Sequence, residues 1–92
     1  MGSKRNRHEW KSEDAEGRRR IVRAQYFGKQ WTLRSLGAED EDWVGHDEPL
    51  LDDLVELRLI LFNKYQRHRV SWDLVASVEK LIRDRGGSWE EV

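Results

Sequence analysis

The chain of 92 residues lacks cysteine altogether, and it has one proline and one methionine. Without cysteine there can be no disulfide, no thiolate metal ligand and no cysteine nucleophile, which suits a reducing cytosol. No apolar run approaches the roughly 18–20 residues that span a bilayer, since Glu56 and Arg58 interrupt the longest candidate, residues 54–62. The N-terminus is too polar for a signal peptide. We therefore expect a soluble, cytoplasmic protein with no membrane contact.

The formal net charge of −1 hides an uneven distribution of sign along the chain. Residues 1–36 hold ten Lys/Arg and four Asp/Glu, whereas residues 37–57 hold nine Asp/Glu and no Lys/Arg. Such a basic block followed by an acidic block indicates either internal neutralisation or an exposed anion-binding surface. A net charge near zero disfavours a dedicated nucleic-acid-binding protein.

The distribution of apolar residues predicts one small domain with two tails. Residues 1–17 offer only Trp10 and Ala15 for burial, so we predict a disordered or loosely docked N-terminal tail. The single domain is predicted over residues 18–87, and residues 88–92 form a C-terminal tail. A core of this size is marginal and would benefit from self-association, so we expect a monomer or a weak homodimer.

Residues 18–36 read as a β-hairpin with one apolar and one basic face. Two strands, Arg20–Phe27 and Gln30–Leu36, flank Gly28-Lys29, which suits a two-residue type II′ turn. The turn places Phe27 opposite Gln30, and the register continues to Ile21 opposite Leu36. One face then carries apolar side chains (Val22, Ala24, Tyr26, Trp31, Leu33), and the other carries polar ones (Arg23, Gln25, Thr32, Arg34).

Two helices follow an acidic loop at residues 37–48. Pro49 suits the first position of a helix that ends near Gln66, with leucines recurring at spacings of three and four. Ser71 is a good N-cap for a second helix over residues 72–85, which Gly86-Gly87 stops. The predicted fold class is α+β, a small single domain with a β-hairpin followed by two α-helices (ββαα) and the hairpin packed on the helices.

The motifs of common catalytic and cofactor sites are missing from the chain. The three histidines lie in different segments, and none has a second histidine at ligand spacing, so we predict no metal site. There is no nucleophile elbow, P-loop or dinucleotide fingerprint, and a domain this small has little room for a ligand pocket. We predict no cofactor and no enzymatic activity.

The basic residues around the hairpin are the candidate partner- or anion-binding residues: Arg18, Arg19, Arg20, Arg23, Lys29 and Arg34. Arg23 faces Arg34 directly, which is unfavourable unless an anion or a carboxylate from residues 39–42 screens the pair. Our first hypothesis is a protein-interaction module of regulator, adaptor or inhibitor type that uses the outer hairpin face and the acidic loop, with a protein partner of unknown identity. The alternative is a nucleic-acid-binding protein that uses the arginine-rich β-ribbon.

Overall fold

The computed structural model describes residues 7–89, in which an antiparallel four-stranded sheet is followed by two helices. The α+β class and the order of strands before helices are confirmed, but the sheet is larger than the predicted hairpin. The elements are β1 (Arg7–Glu13), β2 (Arg19–Phe27), β3 (Gln30–Gly37), β4 (Val44–His46), α1 (Leu51–Gln66) and α2 (Trp72–Asp84). Residues 1–6 and 90–92 of the predicted tails lie outside the described residues.

The chain separates into two compact units, of which one ends at Glu48 and the other begins at Pro49. The first unit contains the sheet, whose strands lie in the order β1-β2-β3-β4. The second unit contains both helices. The single domain over residues 18–87 stays a prediction.

The register of the central hairpin, β2 with β3, is the one that the sequence predicts. Phe27 lies opposite Gln30, and the pairing continues through Arg23 opposite Arg34 to Ile21 opposite Leu36. Val22, Ala24 and Leu33 on the apolar face are fully buried, and we call this side of the sheet the buried face.

The predicted type II′ turn is wrong. Gly28 has a φ of 59° and Lys29 a φ of 63°, and positive φ at both central residues defines a type I′ turn. A type I′ turn matches the right-handed twist of the flanking strands. This match offsets the cost of placing Lys29, an L-residue, in the left-handed region.

The described part of residues 1–17 is not a loose tail, as predicted, but contains strand β1. It pairs antiparallel with β2, with Trp10 opposite Val22. The connection is shaped by Asp14, whose Oδ1 accepts the backbone N–H groups of Glu16 and Arg18, each at 2.9 Å. Gly17 follows with a φ of 80°, a conformation that glycine adopts without steric cost.

Strand β4 lies inside the segment that the sequence predicts as a loop. Its three residues pair with Leu33, Arg34 and Ser35 of β3. The Ser35 hydroxyl lies 2.7 Å from His46 Nε2, a side-chain hydrogen bond between these neighbouring strands. Three residues are too few for hydrophobic alternation to be visible, which explains why the strand was not predicted.

Helix α1 begins two residues after the predicted start. Leu50, not Glu48, is the residue preceding the first turn, and its carbonyl accepts the Leu54 N–H at 3.1 Å. The helix ends at Gln66; two residues later His68 has a φ of 60°, and the Arg69 N–H donates to the Lys64 carbonyl. This geometry is a Schellman motif, which usually carries glycine at the left-handed position.

Helix α2 begins after Ser71, as predicted, and ends in a second Schellman motif. Gly86, at a φ of 74°, donates its N–H to Arg83, and Gly87 donates to Ile82. The pair therefore terminates the helix as the sequence indicates. A Cβ on Gly87 would lie 2.6 Å from the Leu51 side chain, so glycine also permits close packing at this point.

The helical unit buries an ion pair that the apolar pattern does not predict. Arg58 Nε donates to Glu79 Oε2 at 3.1 Å, with the side chains 6% and 10% exposed. The Arg58 guanidinium also lies over the rings of Phe62 and Trp89. Within residues 7–89, neither helix combines the length and apolar character needed to cross a membrane.

Candidate anion-binding surface

A recess of about 240 Å³ opens on the side of the sheet opposite the buried face. We call it the arginine recess, and its lining comes from three strands: Arg7, Arg23, Gln25, Phe27, Thr32 and Arg34. Three guanidinium groups, an amide and a hydroxyl supply hydrogen-bond donors, and Phe27 is 81% exposed. Such a lining suits a carboxylate or phosphate group attached to an apolar or aromatic neighbour.

The strand register explains why these side chains converge. Arg23 and Arg34 lie directly opposite each other, and the next pair on the same face is Gln25 opposite Thr32. Arg7 joins from β1, where it lies opposite Gln25. Residues two apart on a strand point to the same side, so the pairings place all five on one face. Neither Arg7 nor its convergence with Arg34 was predicted.

Arg23 is held by two neighbours on this face. Its Nε donates to Glu9 Oε2 at 3.0 Å, and its guanidinium carbon lies 4.1 Å from the centre of the Trp43 ring. The carboxylate offsets one positive charge, and the ring face attracts the guanidinium as a cation–π contact. The screening of the Arg23–Arg34 pair therefore comes from β1 and Trp43.

Arg7 and Arg34 form no ion pair with any residue between 7 and 89, and both are exposed. Their guanidinium groups offer the bidentate donor geometry that carboxylates and phosphates accept. Because Glu9 offsets only Arg23, the arginine recess keeps an excess of positive charge. An anionic group would also relieve the repulsion between Arg23 and Arg34.

Arg18 was a candidate, but the structure surrounds it with carboxylates. It pairs with Asp14 at 3.0 Å, Glu16 at 3.2 Å and Glu39 at 2.8 Å. The Arg18 backbone N–H, followed by that of Glu16 and the Arg18 charge, holds the pKa of Asp14 below its usual value of 3.8 despite some desolvation. Internal neutralisation thus applies to Arg18, with Glu39 the contribution of the acidic loop.

The remaining three candidates do not line the arginine recess. Arg20 is 7% exposed and alternates onto the buried face beside Val22. Arg19 is exposed on the same face as the recess but lies at the far end of β2, opposite Glu13. Lys29 is exposed at the tip of the type I′ turn. Of the six predicted residues, the structure brings together Arg23 and Arg34.

Sequence reasoning missed Arg7, Glu9 and Trp43 as parts of this surface. The sequence signal for β1 was the alternation of four charged residues with His8, Trp10 and Ser12, followed by an aspartate and a glycine typical of a turn. Because Trp10 is the one large apolar residue in this strand and has a charged residue on each side, hydrophobic periodicity does not reveal the alternation. Trp43 has no sequence signal that would place it on Arg23.

Other side-chain groups within the described residues are weaker candidates for a metal, catalytic or ligand-binding site. Among residues 7–89, no three His, Asp or Glu side chains gather as a metal site would require. Ser35 and His46 resemble a nucleophile and its base, but Ser35 is 5% exposed and lines neither recess described. A second recess, of about 560 Å³, lies in the helical unit beside Val55, Leu59 and Trp89. We regard the arginine recess as the best-defined candidate site.

Comparison with known proteins adds no functional information. No protein-family model, no curated protein sequence and no solved structure matches this chain. The function of this chain must therefore be inferred from the chemistry of the sheet.

Proposed function

We propose that this chain is a non-enzymatic protein-interaction module, of regulator, adaptor or inhibitor type, whose sheet binds an acidic segment of a partner protein. The observation that carries the proposal is the convergence of Arg7, Arg23 and Arg34 on one recess, where Glu9, paired with Arg23, is the one carboxylate within residues 7–89 that forms an ion pair with any of the three. A partner carboxylate there would accept charge-assisted hydrogen bonds from two guanidinium groups. Phe27, largely exposed at the same recess, would pack against an apolar residue beside that carboxylate.

Two features favour a protein segment over nucleic acid as the ligand. The arginine recess is short, whereas a nucleic-acid backbone needs a longer positive track to gain affinity from counterion release. The exposed acidic residues 39–42 belong to the same unit and would repel phosphates that extend along the sheet. The experiment must distinguish binding of a protein segment from the alternative, binding of nucleic acid by the arginine-rich ribbon. The cytoplasmic location stays a prediction from the sequence.

The test compares two fluorescent probes by anisotropy at low salt: a peptide of alternating glutamate and phenylalanine, and a single-stranded oligonucleotide of equal charge. We expect the peptide to bind, and Arg34→Glu to weaken it by about 10- to 100-fold, the range for losing charge-assisted hydrogen bonds. Arg34→Lys keeps the charge but not the bidentate geometry, so its loss should be smaller.

Lys80→Glu is the matched control, because it makes the same change in net charge at a side chain that is 78% exposed in the helical unit. This variant should bind the peptide as the wild type does. Equal losses in the Arg34 and Lys80 variants would show that only net charge matters and would overturn the proposal. Binding of the oligonucleotide alone, lost in Arg34→Glu, would replace it with the nucleic-acid alternative.

A further inference from the structure

Strand β1 is an end strand of the sheet, with β2 as its neighbour on one side among residues 7–89. An end strand presents backbone N–H and C=O groups that another strand can pair with. Its face away from the buried face consists of four exposed charged residues, Arg7, Glu9, Lys11 and Glu13. What could pair with this edge depends on which backbone groups point outward and on the order of those charges.

The alternation of hydrogen bonds between β1 and β2 shows which backbone N–H and C=O groups of β1 point away from β2. The Asp14 N–H donates to the Arg18 carbonyl at 2.9 Å, and Glu13 lies opposite Arg19. Hydrogen-bonded and non-hydrogen-bonded pairs alternate along an antiparallel ladder. Residues 8, 10 and 12 therefore bond to β2, and residues 7, 9, 11 and 13 direct their backbone groups to the unpaired edge.

The charges on these four outward residues alternate as plus, minus, plus, minus. Read in reverse from a second chain, the order is minus, plus, minus, plus. An antiparallel copy centred on Trp10 would place Arg7 opposite Glu13 and Glu9 opposite Lys11, each twice. Every charged position on this face would then meet the opposite sign, and opposite charges across strands are stabilising.

We propose that a second copy of this chain pairs with β1 through a two-fold axis at Trp10, which joins the two sheets edge to edge. The outward backbone groups require odd-numbered residues to face odd-numbered residues. Moving the axis by one residue sets Glu9 opposite Glu9 or Lys11 opposite Lys11, with like charges facing at the centre. Moving it by two residues restores opposite charges but pairs only two of the four charged positions of each strand, so the axis at Trp10 gives the most favourable register.

The other face of β1 is compatible with the same axis. Trp10 would face its symmetry mate in a non-hydrogen-bonded pair, where side chains approach most closely. Its indole Nε1 is buried and has no hydrogen-bond partner among the described residues. Aromatic pairs across strands are among the favourable ones, so the two indoles would add to the charge pairing.

Sedimentation velocity over about 10 µM to 1 mM tests the proposal. The wild type should shift from the 11.0 kDa monomer toward twice that mass. Lys11→Glu sets glutamates opposite each other at two symmetric positions, and Glu9→Lys does the same with lysines. Each variant should dimerise at least about tenfold more weakly than the wild type. Neither side chain lines the arginine recess, although Glu9 contacts Arg23.

Mixing the two variants provides the decisive measurement. In a heterodimer of Lys11→Glu with Glu9→Lys, every altered pair regains opposite charges, so the dimer should reappear. Hydrogen exchange gives a second measurement, because the Glu9 and Lys11 amides should gain protection as concentration rises. A wild type that stays monomeric at 1 mM, or a mixture that stays monomeric while the wild type dimerises, would overturn the proposal. Peptide binding to the arginine recess is measured separately with the Arg34 variants, so neither result would decide the proposed function.

Discussion

Removing the carboxylate of Glu79 is expected to destabilise the protein by about 3 kcal/mol, because it leaves a buried guanidinium without its counter-charge. The Arg58 side chain is 6% exposed and its distance to Glu79 is 3.1 Å, so water cannot readily replace the lost partner. Breaking such a pair on one side costs roughly 3–5 kcal/mol. We expect the lower end of this range because Arg58 would keep its contacts with the Phe62 and Trp89 rings.

The measurement is urea unfolding followed by circular dichroism for Glu79→Ala, Glu79→Gln and the wild type. With a slope of about 1.5 kcal/mol/M, a loss of 3 kcal/mol lowers the midpoint by about 2 M. Glu79→Gln keeps an acceptor for the Arg58 Nε–H, so its loss should be smaller, about 1–2 kcal/mol. If the alanine variant proves too unstable to fold, the glutamine variant still gives a measurable shift.

The double variant Arg58→Met/Glu79→Leu separates the cost of an orphaned charge from the worth of the pair. Replacing a buried ion pair with apolar side chains of similar volume is often neutral or stabilising. We therefore expect the stability of the double variant to lie within about 1 kcal/mol of the wild type, whereas Glu79→Ala alone should lower it by about 3 kcal/mol. A double variant as unstable as Glu79→Ala, or an alanine variant within 0.5 kcal/mol of the wild type, would refute this reasoning.

Two further predictions concern chain reversals. His68→Gly should raise the free energy of unfolding by about 0.5–1 kcal/mol, because the φ of 60° at this position strains an L-residue, whereas Arg67→Gly, at a φ of −93°, should lower it. The pKa of Asp14 is lowered in the folded chain, so its contribution to stability is present above the unfolded value near 4 and is lost as the pH falls through the folded pKa. Chemical unfolding between pH 5 and pH 2 should show the wild type losing its advantage over Asp14→Asn, and a constant difference would contradict this.

The elements that sequence analysis located correctly are those in which local signals agree. A glycine between two strands of matching alternation gave the register of β2 and β3, and Ser71 and Gly86 gave the ends of α2 within one residue. Here the turn, the alternation and the capping residues depend on neighbours close in sequence. The turn type was missed because both II′ and I′ accept glycine first, and only the φ of Lys29 separates them.

Contacts between segments distant in sequence could not be predicted in the same way. The Arg58–Glu79 pair joins residues 21 positions apart, and a search for apolar spacing treats both as solvent-facing. The arginine recess was half predicted: the Arg23–Arg34 pair follows from the hairpin register, but Arg7 and Glu9 require β1. The sequence left open whether an anion or a carboxylate from residues 39–42 screens this pair; in the structure the carboxylate beside Arg23 is Glu9, from the neighbouring strand β1.

The property that hides β1 from sequence analysis is the one that would make its pairing selective. Apolar end strands are easy to recognise, but they pair with many partners and promote aggregation. A strand with four alternating charges gives little hydrophobic signal, and it rejects neighbours whose charges do not match. Because the order of Arg7, Glu9, Lys11 and Glu13 complements its own reversal, like-charge repulsion disfavours an axis shifted by one residue, while the axis at Trp10 pairs all four positions with opposite charges. The same charges therefore account for both the missed strand and the proposed self-pairing.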